Sequence, residues 1–473
     1  MKTYPLYLNG EFVASEPAWP VNNPATGEPF AKISTIDRAR LARAISDAHA
    51  AFAGWRQLTA KTRGEFLRRI AAELEGRREE TARLITAENG KPLAQSLGEV
   101  AMTVDHLQWF AEEGRRAYGR LIPHQADGKR NLVVKTPIGV VAAISPWNFP
   151  LVLAVRKVAP ALAAGCSVVL KPARQTPLSC VAFAECVHAA RLPKGAFQLV
   201  CGHSGEFGEE FLRNDLCRKV TFTGSTEVGR VLIANAARAI KPLSLELGGN
   251  APLLVFDDAD LDVAIEGALL AKMRNTGQAC IAANRLLVQR SIYAKFLEAF
   301  VARVKALKIG EGCEPGVEIG PLIDEAAVRH ALDCVDDAVK RGARLLCGGR
   351  RLERPGFFLA PTVLADVPPS ARCAGEEIFA PLAPVLAFDT EAEAIELANA
   401  TPYGLCAYAF TRDLGRTLRL AESLEAGMIG INDGLPTTSN APFGGVKQSG
   451  WGRELGAEGL DAFLETKHIS IRF

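Results

Sequence analysis

Several polar side chains in this sequence have the types and settings that covalent chemistry at a carbonyl carbon requires. Cys280 ends the polar stretch Met273-Arg274-Asn275-Thr276-Gly277-Gln278-Ala279-Cys280, shortly before the apolar run Leu286-Leu287-Val288. A thiol on such a junction loop is placed to meet a cleft, whereas a packing cysteine usually lies inside an apolar run. Glu246 sits in the otherwise apolar Leu243-Ser244-Leu245-Glu246-Leu247, which runs into Gly248-Gly249-Asn250. Burial raises the proton affinity of a glutamate and fits it to act as a base near neutral pH. Asn148 lies between two prolines in Ile144-Ser145-Pro146-Trp147-Asn148-Phe149-Pro150 and offers an amide N–H to a developing oxyanion. Nucleophile, base and oxyanion donor are thus all present. Each has a bland alternative: an inert cysteine among eleven, a salt-bridged structural carboxylate, a loop amide.

A second set of residues suits a nucleotide. Phe222-Thr223-Gly224-Ser225-Thr226-Glu227-Val228-Gly229 reads as a strand running into a helix, where backbone N–H groups can meet a phosphate. It is neither GxGxxG nor a Walker A loop, and a simple capped turn fits it equally well. Lys171 and Arg174 follow an apolar strand in Leu170-Lys171-Pro172-Ala173-Arg174-Gln175. They could meet phosphate or ribose, or form a solvated basic turn. His106, Trp109 and Phe110 recur at helical spacing and read as a core stripe.

The elements that must position these groups alternate. Residues 1–36 read as short strands and turns, with a hairpin at Asn9-Gly10, and residues 37–119 as a run of helices broken at Asn89-Gly90-Lys91-Pro92. Buried strands are expected at 139–144, 167–170, 197–200, 219–222 and 243–247. Helices at 151–164, 179–190, 207–212 and 228–239 separate them. That order means βαβ units and a parallel sheet with ligands at the carboxyl ends of its strands. A second alternating region spans about 252–441, with helices at 264–272, 292–306, 325–342 and 392–399. The tail Lys467-His468-Ile469-Ser470-Ile471-Arg472-Phe473 alternates like a half-buried strand able to pair at a sheet edge.

Composition narrows the function further. A chain of 473 residues calls for two or three domains, and a net charge of +2 gives no case for nucleic acid or a membrane surface as partner. The apolar run 152–158 is interrupted by Arg156-Lys157 and is too short to span a bilayer. An odd number of scattered cysteines, without CxxC or metal-ligand spacing, fits a reduced cytoplasmic protein without a metal.

Taken in order, Pro146-Trp147-Asn148, Lys171-Pro172-Ala173, Phe222-Thr223-Gly224-Ser225, Glu246-Leu247-Gly248-Gly249-Asn250, Gly277-Gln278-Ala279-Cys280, Glu377-Ile378-Phe379 and Pro442-Phe443-Gly444-Gly445 resemble the aldehyde dehydrogenase superfamily over essentially the whole chain. The resemblance implies an α/β fold with a Rossmann-type dinucleotide-binding domain (1–117 and 138–248), an α/β catalytic domain (249–441) and a small β oligomerisation flap (118–137 and 442–473). It implies that Cys280 attacks an aldehyde to form a thiohemiacetal and then a thioester, that Asn148 steadies the oxyanion, and that Glu246 activates the hydrolytic water. Cofactor binding falls to Ser145, Trp147, Lys171, Arg174, Gly224, Ser225, Gly229, Glu377 and Phe379. NAD-preferring members usually carry glutamate where Arg174 stands; this reversed charge favours a 2′-phosphate, hence NADP with NAD as the alternative. Within the superfamily the chain looks most like succinate-semialdehyde dehydrogenases, in which the arginines matching Arg156 and Arg274 hold the substrate's far carboxylate. Thr437 or Thr438 would supply a hydroxyl in the altered loop Leu435-Pro436-Thr437-Thr438-Ser439-Asn440. Glutarate semialdehyde and sulfolactaldehyde are the alternative anionic aldehydes. Ala282 replaces the second loop cysteine of redox-switched relatives, so no loop disulfide is expected. A homodimer or homotetramer is implied. The rival readings are a cofactor-free cysteine esterase or acyltransferase, and a binding protein on a retired dehydrogenase fold.

Overall fold

A computed structural model describes all of residues 1–473. Its largest sheet is eight-stranded. Four of its strands, Val140–Ile144, Ser167–Lys171, Cys217–Thr223 and Leu243–Glu246, lie side by side in parallel, and Phe197–Leu199 continues the parallel set. Almost every residue of these strands is buried, as expected where helices cover both faces of a parallel sheet. The intervening helices, Val152–Ala164, Leu178–Ala189, Ser204–Arg213 and Thr226–Ala236, fall where the alternation of apolar runs places them. The N-terminal hairpin of Leu6–Leu8 and Glu11–Val13 turns through Asn9 and Gly10, and extends one edge antiparallel to Phe197–Leu199.

Four consecutive helices, Arg38–Trp55, Ala60–Gly76, Arg78–Asn89 and Leu93–Glu113, pack beside this sheet. Trp55 is wholly buried between them and donates its indole N–H to the Leu162 carbonyl at 3.2 Å. A seven-stranded sheet forms the second body of structure, built around the parallel strands Ala251–Val255, Ala283–Gln289, Leu382–Phe388, Cys406–Phe410 and Met428–Ile431. The helix Glu325–Lys340 covers it, burying Val328, Ala331, Cys334, Val335 and Ala338. The tail strand Leu464–Arg472 pairs antiparallel with Lys129–Pro137 along its whole length, and Arg120–Ile122 completes a small three-stranded sheet.

The segment 442–473 divides between two sheets. Gly450–Trp451 adds antiparallel to Leu243–Glu246 at the edge of the eight-stranded sheet, while only the terminal strand joins the small one. A two-residue strand has no periodicity to announce it, so the expectation that 442–473 forms one flap segment misses this split.

Candidate functional site

The loop that presents Cys280 is held in an uncommon backbone conformation. Asn275 and Thr276 both have left-handed φ, at 49° and 57°, a state that costs about 1–3 kcal/mol each and persists only where neighbours impose it. Here they do. The Asn275 amide donates to the carbonyls of Asn148 at 2.8 Å and Gln278 at 3.0 Å, and its backbone N–H donates to Gln95 at 2.7 Å. Thr276 donates to the Gly320 carbonyl at 3.3 Å. Cys280 emerges from this anchored loop partly exposed, in a cavity of about 230 Å³ lined also by Trp147, Asn148, Thr223, Gly248, Glu377 and Phe379. Burial, followed by the Glu377 and Glu246 carboxylates, pushes its thiol up to about 12, so the resting sulfur is protonated.

Asn148 is buried and donates through Nδ2 to the Gln278 carbonyl at 3.1 Å, which aims its amide toward the cysteine loop. Its own carbonyl accepts from Lys91 Nζ at 2.7 Å, and Lys91 is paired with Glu99 at 2.7 Å with neither side chain exposed. Glu99 in turn accepts from the N–H groups of Leu151 and Val152 at the start of the helix that carries Arg156. This Lys91–Glu99 pair ties Asn148 to that helix. Nothing in the sequence announces this pair, because a lysine in a Gly-Lys-Pro turn looks solvated.

Glu246 ends its strand fully enclosed, with Oε2 lacking any hydrogen-bond partner. Burial and then the neighbouring Glu454 raise its proton affinity well above the usual carboxylate range, while Lys157, Arg453 and Arg156 oppose the shift. Lys157 is buried and donates to Thr223 at 2.5 Å and to Glu454. Lys157 and Glu454 lie 297 positions apart, so no local pattern foretells their pairing.

Arg156 is 5% exposed, stacks on the Phe443 ring at 4.5 Å, and has no hydrogen-bond partner on Nε. Arg274 stacks on the Phe149 ring at 4.6 Å. Burial lowers the pKa of both, and Arg156 is the next influence on Arg274, so two cations face one small region near Cys280. Thr437 is half-buried with its Oγ1 enclosed and unpartnered, whereas Thr438 is exposed and bonded to Asn440 at 2.8 Å. Of the two threonines, Thr437 is the free donor. His106 is buried beside Arg156 with Nδ1 unpartnered. It belongs to the core stripe, yet sits in polar surroundings that the stripe alone does not reveal.

A longer cavity of about 700 Å³ continues from the cysteine site and shares Pro146, Trp147, Thr223, Gly224 and Ser225 with it. Lys171, Arg174 and Ser145 line it. Lys171 is buried, its pKa lowered by desolvation, and it donates to the Pro172 carbonyl at 3.3 Å. Ser145 Oγ is enclosed without a partner. Arg174 is exposed, with its guanidinium over the Trp19 ring at 4.8 Å. Ser225 caps the helix Thr226–Ala236 by accepting from the Val228 N–H at 3.4 Å, so the N-terminus of that helix opens on the cavity. Gly229 lies away from the cavity; a Cβ there would stand 2.7 Å from the Leu247 side chain, so it lets helix and strand approach each other. Where the two cavities meet, Trp147 and Phe379 stand edge to face at 5.4 Å, and Glu377 accepts from the Gly249 N–H at 3.0 Å. A Cβ at Gly248 would lie 2.7 Å from Glu377 Oε2, which explains the glycine. Burial pushes Glu377 up to about 7. An enclosed unpaired hydroxyl, a helix N-terminus and two basic side chains along one cleft fit a dinucleotide.

A parallel α/β sheet with a cleft across its carboxyl edge, ending at a thiol, is the architecture of a nucleotide-binding enzyme. The chain belongs to the aldehyde dehydrogenase family, whose model matches residues 12–469. It is 49% identical to 3-sulfolactaldehyde dehydrogenase of Pseudomonas putida over 98% of this chain and 96% of that one. It is likewise 49% identical to the NADP(+) succinate-semialdehyde dehydrogenase of Escherichia coli K12, over 98% and 97%. The crystal structure of succinate-semialdehyde dehydrogenase from Burkholderia pseudomallei superposes with a TM-score of 0.98 at 47% identity, covering 99% and 98% of the two chains. No helix is long and apolar enough to cross a membrane.

Proposed function

We propose that this enzyme oxidises a short anionic aldehyde to its acid, with succinate semialdehyde as the leading substrate and NADP as the preferred cofactor. The observation that carries this reading is the pair of guanidiniums, buried Arg156 and half-buried Arg274, stacked on Phe443 and Phe149 beside the thiol. Two unneutralised cations in an enclosed site are costly unless an anion joins them. A carboxylate tail supplies that anion, and Thr437 adds a hydroxyl. Glutarate semialdehyde and sulfolactaldehyde present comparable tails, and relatives named for carboxylate and for sulfonate aldehydes are equally similar to this chain.

The Cys280 sulfur adds to the aldehyde carbon, and because the resting thiol is neutral its proton passes through water to the former carbonyl oxygen, giving the thiohemiacetal. The second Nδ2 hydrogen of Asn148 meets the oxygen on which charge develops. A nicotinamide dinucleotide, when bound, supplies the hydride acceptor that turns the thiohemiacetal into a thioester. Glu246, once ionised, is a stronger base than an exposed carboxylate and takes a proton from the water that attacks the thioester, releasing the acid and restoring Cys280. Lys171, Ser225 and the Gly224 turn would hold the adenosine and phosphate end, Glu377 and Phe379 the nicotinamide end, and Arg174 a 2′-phosphate.

The exposed apolar side chains of the small sheet, among them Leu121 at 67% and Phe473 at 76%, support a homodimer or homotetramer in which this face is covered. Eleven free cysteines suit the cytoplasm. Steady-state kinetics with the three aldehydes, each with NADP and NAD, tests the reading. Preference for a neutral aldehyde of equal length overturns it, and ester turnover without either cofactor would favour the esterase alternative.

A further inference from the structure

Sequence spacing announces no metal site, but folding brings three potential ligands together behind Glu377, outside the lining of the Cys280 cavity. His330 and Cys334 are four residues apart on the helix Glu325–Lys340 and so share one face, with Nε2 and Sγ 4.0 Å apart. Glu376 follows the short helix Arg372–Gly375, and the donor atoms of all three residues lie within 4.8 Å of one another. We propose that His330, Cys334 and Glu376 form a binding site for a thiophilic divalent cation of the zinc class, built against the segment that carries Glu377.

The donor chemistry selects the ion. Imidazole and thiolate prefer zinc, cobalt or cadmium, whereas magnesium and calcium want oxygen alone. Around a tetrahedral zinc, with bonds of about 2.0–2.3 Å, neighbouring donors stand about 3.3–3.7 Å apart. Closure from the present spacing therefore takes side-chain movements of about 1 Å, which an exposed glutamate supplies. The backbone carrying that glutamate is already fixed: Asn284 and Asn250 donate to the Glu376 carbonyl at 2.9 and 3.0 Å, and Asn284 accepts from the Ile378 N–H at 2.9 Å. Cys334 is buried, His330 half-buried and Glu376 exposed, so the cluster runs from the surface inward. Three protein ligands leave one position for water or for Cys373, whose thiol lies in the field of Cys334.

Binding has definite costs, the first being the buried, unpartnered Lys272 ammonium in the field of Cys334, Cys373 and Glu377, which opposes a second cation there. Glu376 pairs with Arg372 at 3.1 Å and must give up one oxygen to the ion. The Cys334 S–H bond breaks as the sulfur–metal bond forms, and its proton goes to solvent. His330 Nε2 stands 3.3 Å from the Glu377 carbonyl, so ligation through Nε2 moves its proton to Nδ1 and removes that contact. The ion thus engages the residue before Glu377 and frees the Glu377 carbonyl from His330. The consequence for cofactor affinity rests on the reading of Glu377 as a cofactor-binding residue; the ion site itself does not.

Cobalt(II) titrated into the full-length Cys280→Ser protein tests the site without the cleft thiol. A thiolate-to-cobalt charge-transfer band and release of about one proton per ion are expected. Cys334→Ser should abolish the band, and His330→Ala and Glu376→Gln should each weaken Kd at least about tenfold. The last two carry the test if Cys334→Ser fails to fold by circular dichroism. No band at millimolar cobalt, or an unchanged Kd in these variants, overturns the proposal. With Cys280 intact, zinc should raise KM for NADP at least threefold, and should do so less in His330→Ala. An equal rise in both overturns the coupling to Glu377 alone.

Discussion

Replacing Arg156 by methionine separates substrate selection from chemistry. The guanidinium is 5% exposed, has no carboxylate within ion-pair distance and keeps Nε unpartnered. A substrate carboxylate about 4 Å away would gain roughly 4 kcal/mol at an effective dielectric constant near 20. Arg274 remains to carry part of that interaction, so a loss of about 3 kcal/mol, or roughly 10²-fold in kcat/KM, is expected for succinate semialdehyde. Methionine approximates the length of the aliphatic stem, and the lost stacking on Phe443 amounts to about 1 kcal/mol. Removing an enclosed, unneutralised cation offsets that loss, so the thermal midpoint should hold within a few degrees. The assay is kcat/KM for succinate semialdehyde and for butanal, a neutral aldehyde of equal chain length, with saturating NADP. Arg156→Met should lose about two decades on the first and be unchanged or improved on the second. Equal losses on both would refute the anion-clamp reasoning.

Three further outcomes follow from the same geometry. Arg174→Glu replaces an exposed cation stacked on Trp19 by an anion, so the NADP/NAD ratio of kcat/KM should fall by about 10²-fold, from roughly 1.5 kcal/mol of lost attraction and a similar repulsion; a ratio within threefold of wild type would place the 2′-phosphate elsewhere. With its thiol pushed to about 12, Cys280 should react with iodoacetamide in the cofactor-free enzyme at a rate rising about tenfold per pH unit from 7 to 10, because the thiolate fraction climbs over that whole window; a plateau below pH 9, after subtraction of the Cys280→Ser background, contradicts the assigned burial. Lys91→Met leaves Glu99 enclosed without its cation, and should cost about 3 kcal/mol in urea denaturation and lower kcat through Asn148; adding Glu99→Leu should restore part of the stability.

The parallel sheet was legible because its strands are continuous apolar runs separated by helical ones, and Val140–Ile144, Ser167–Lys171 and Leu243–Glu246 fall within a residue or two of their expected bounds. Cys280, Glu246 and Asn148 stand out as candidates in the sequence because each has a context that packing alone does not require, and Asn148 shares the Cys280 cavity. Other features were not legible because they depend on distance in space. Lys91 meets Glu99 and Asn148, Lys157 meets Glu454, and His330 meets Glu376 only once the chain has folded. Gly229 was read as a phosphate-loop residue from its place in Gly224-Ser225-Thr226-Glu227-Val228-Gly229, yet it sits a turn into the helix against Leu247. Thr437 and Thr438 were indistinguishable by type, and only burial separates them.

Arg156 and Lys157 are consecutive on one helix and therefore point about 100° apart. One lies over the Phe443 ring and the other bonds Glu454, and Phe443 and Glu454 exchange backbone hydrogen bonds at 2.7 and 2.8 Å. The side chain that would choose the aldehyde and the one that tunes the base beside it are thus fastened to the two members of a single bridge. The 435–440 loop, which carries Thr437, lies outside that bridge. On the proposed reading, change in the loop would reach the substrate tail and leave the bridge in place, whereas change at the bridge would reach Arg156 and Lys157 together.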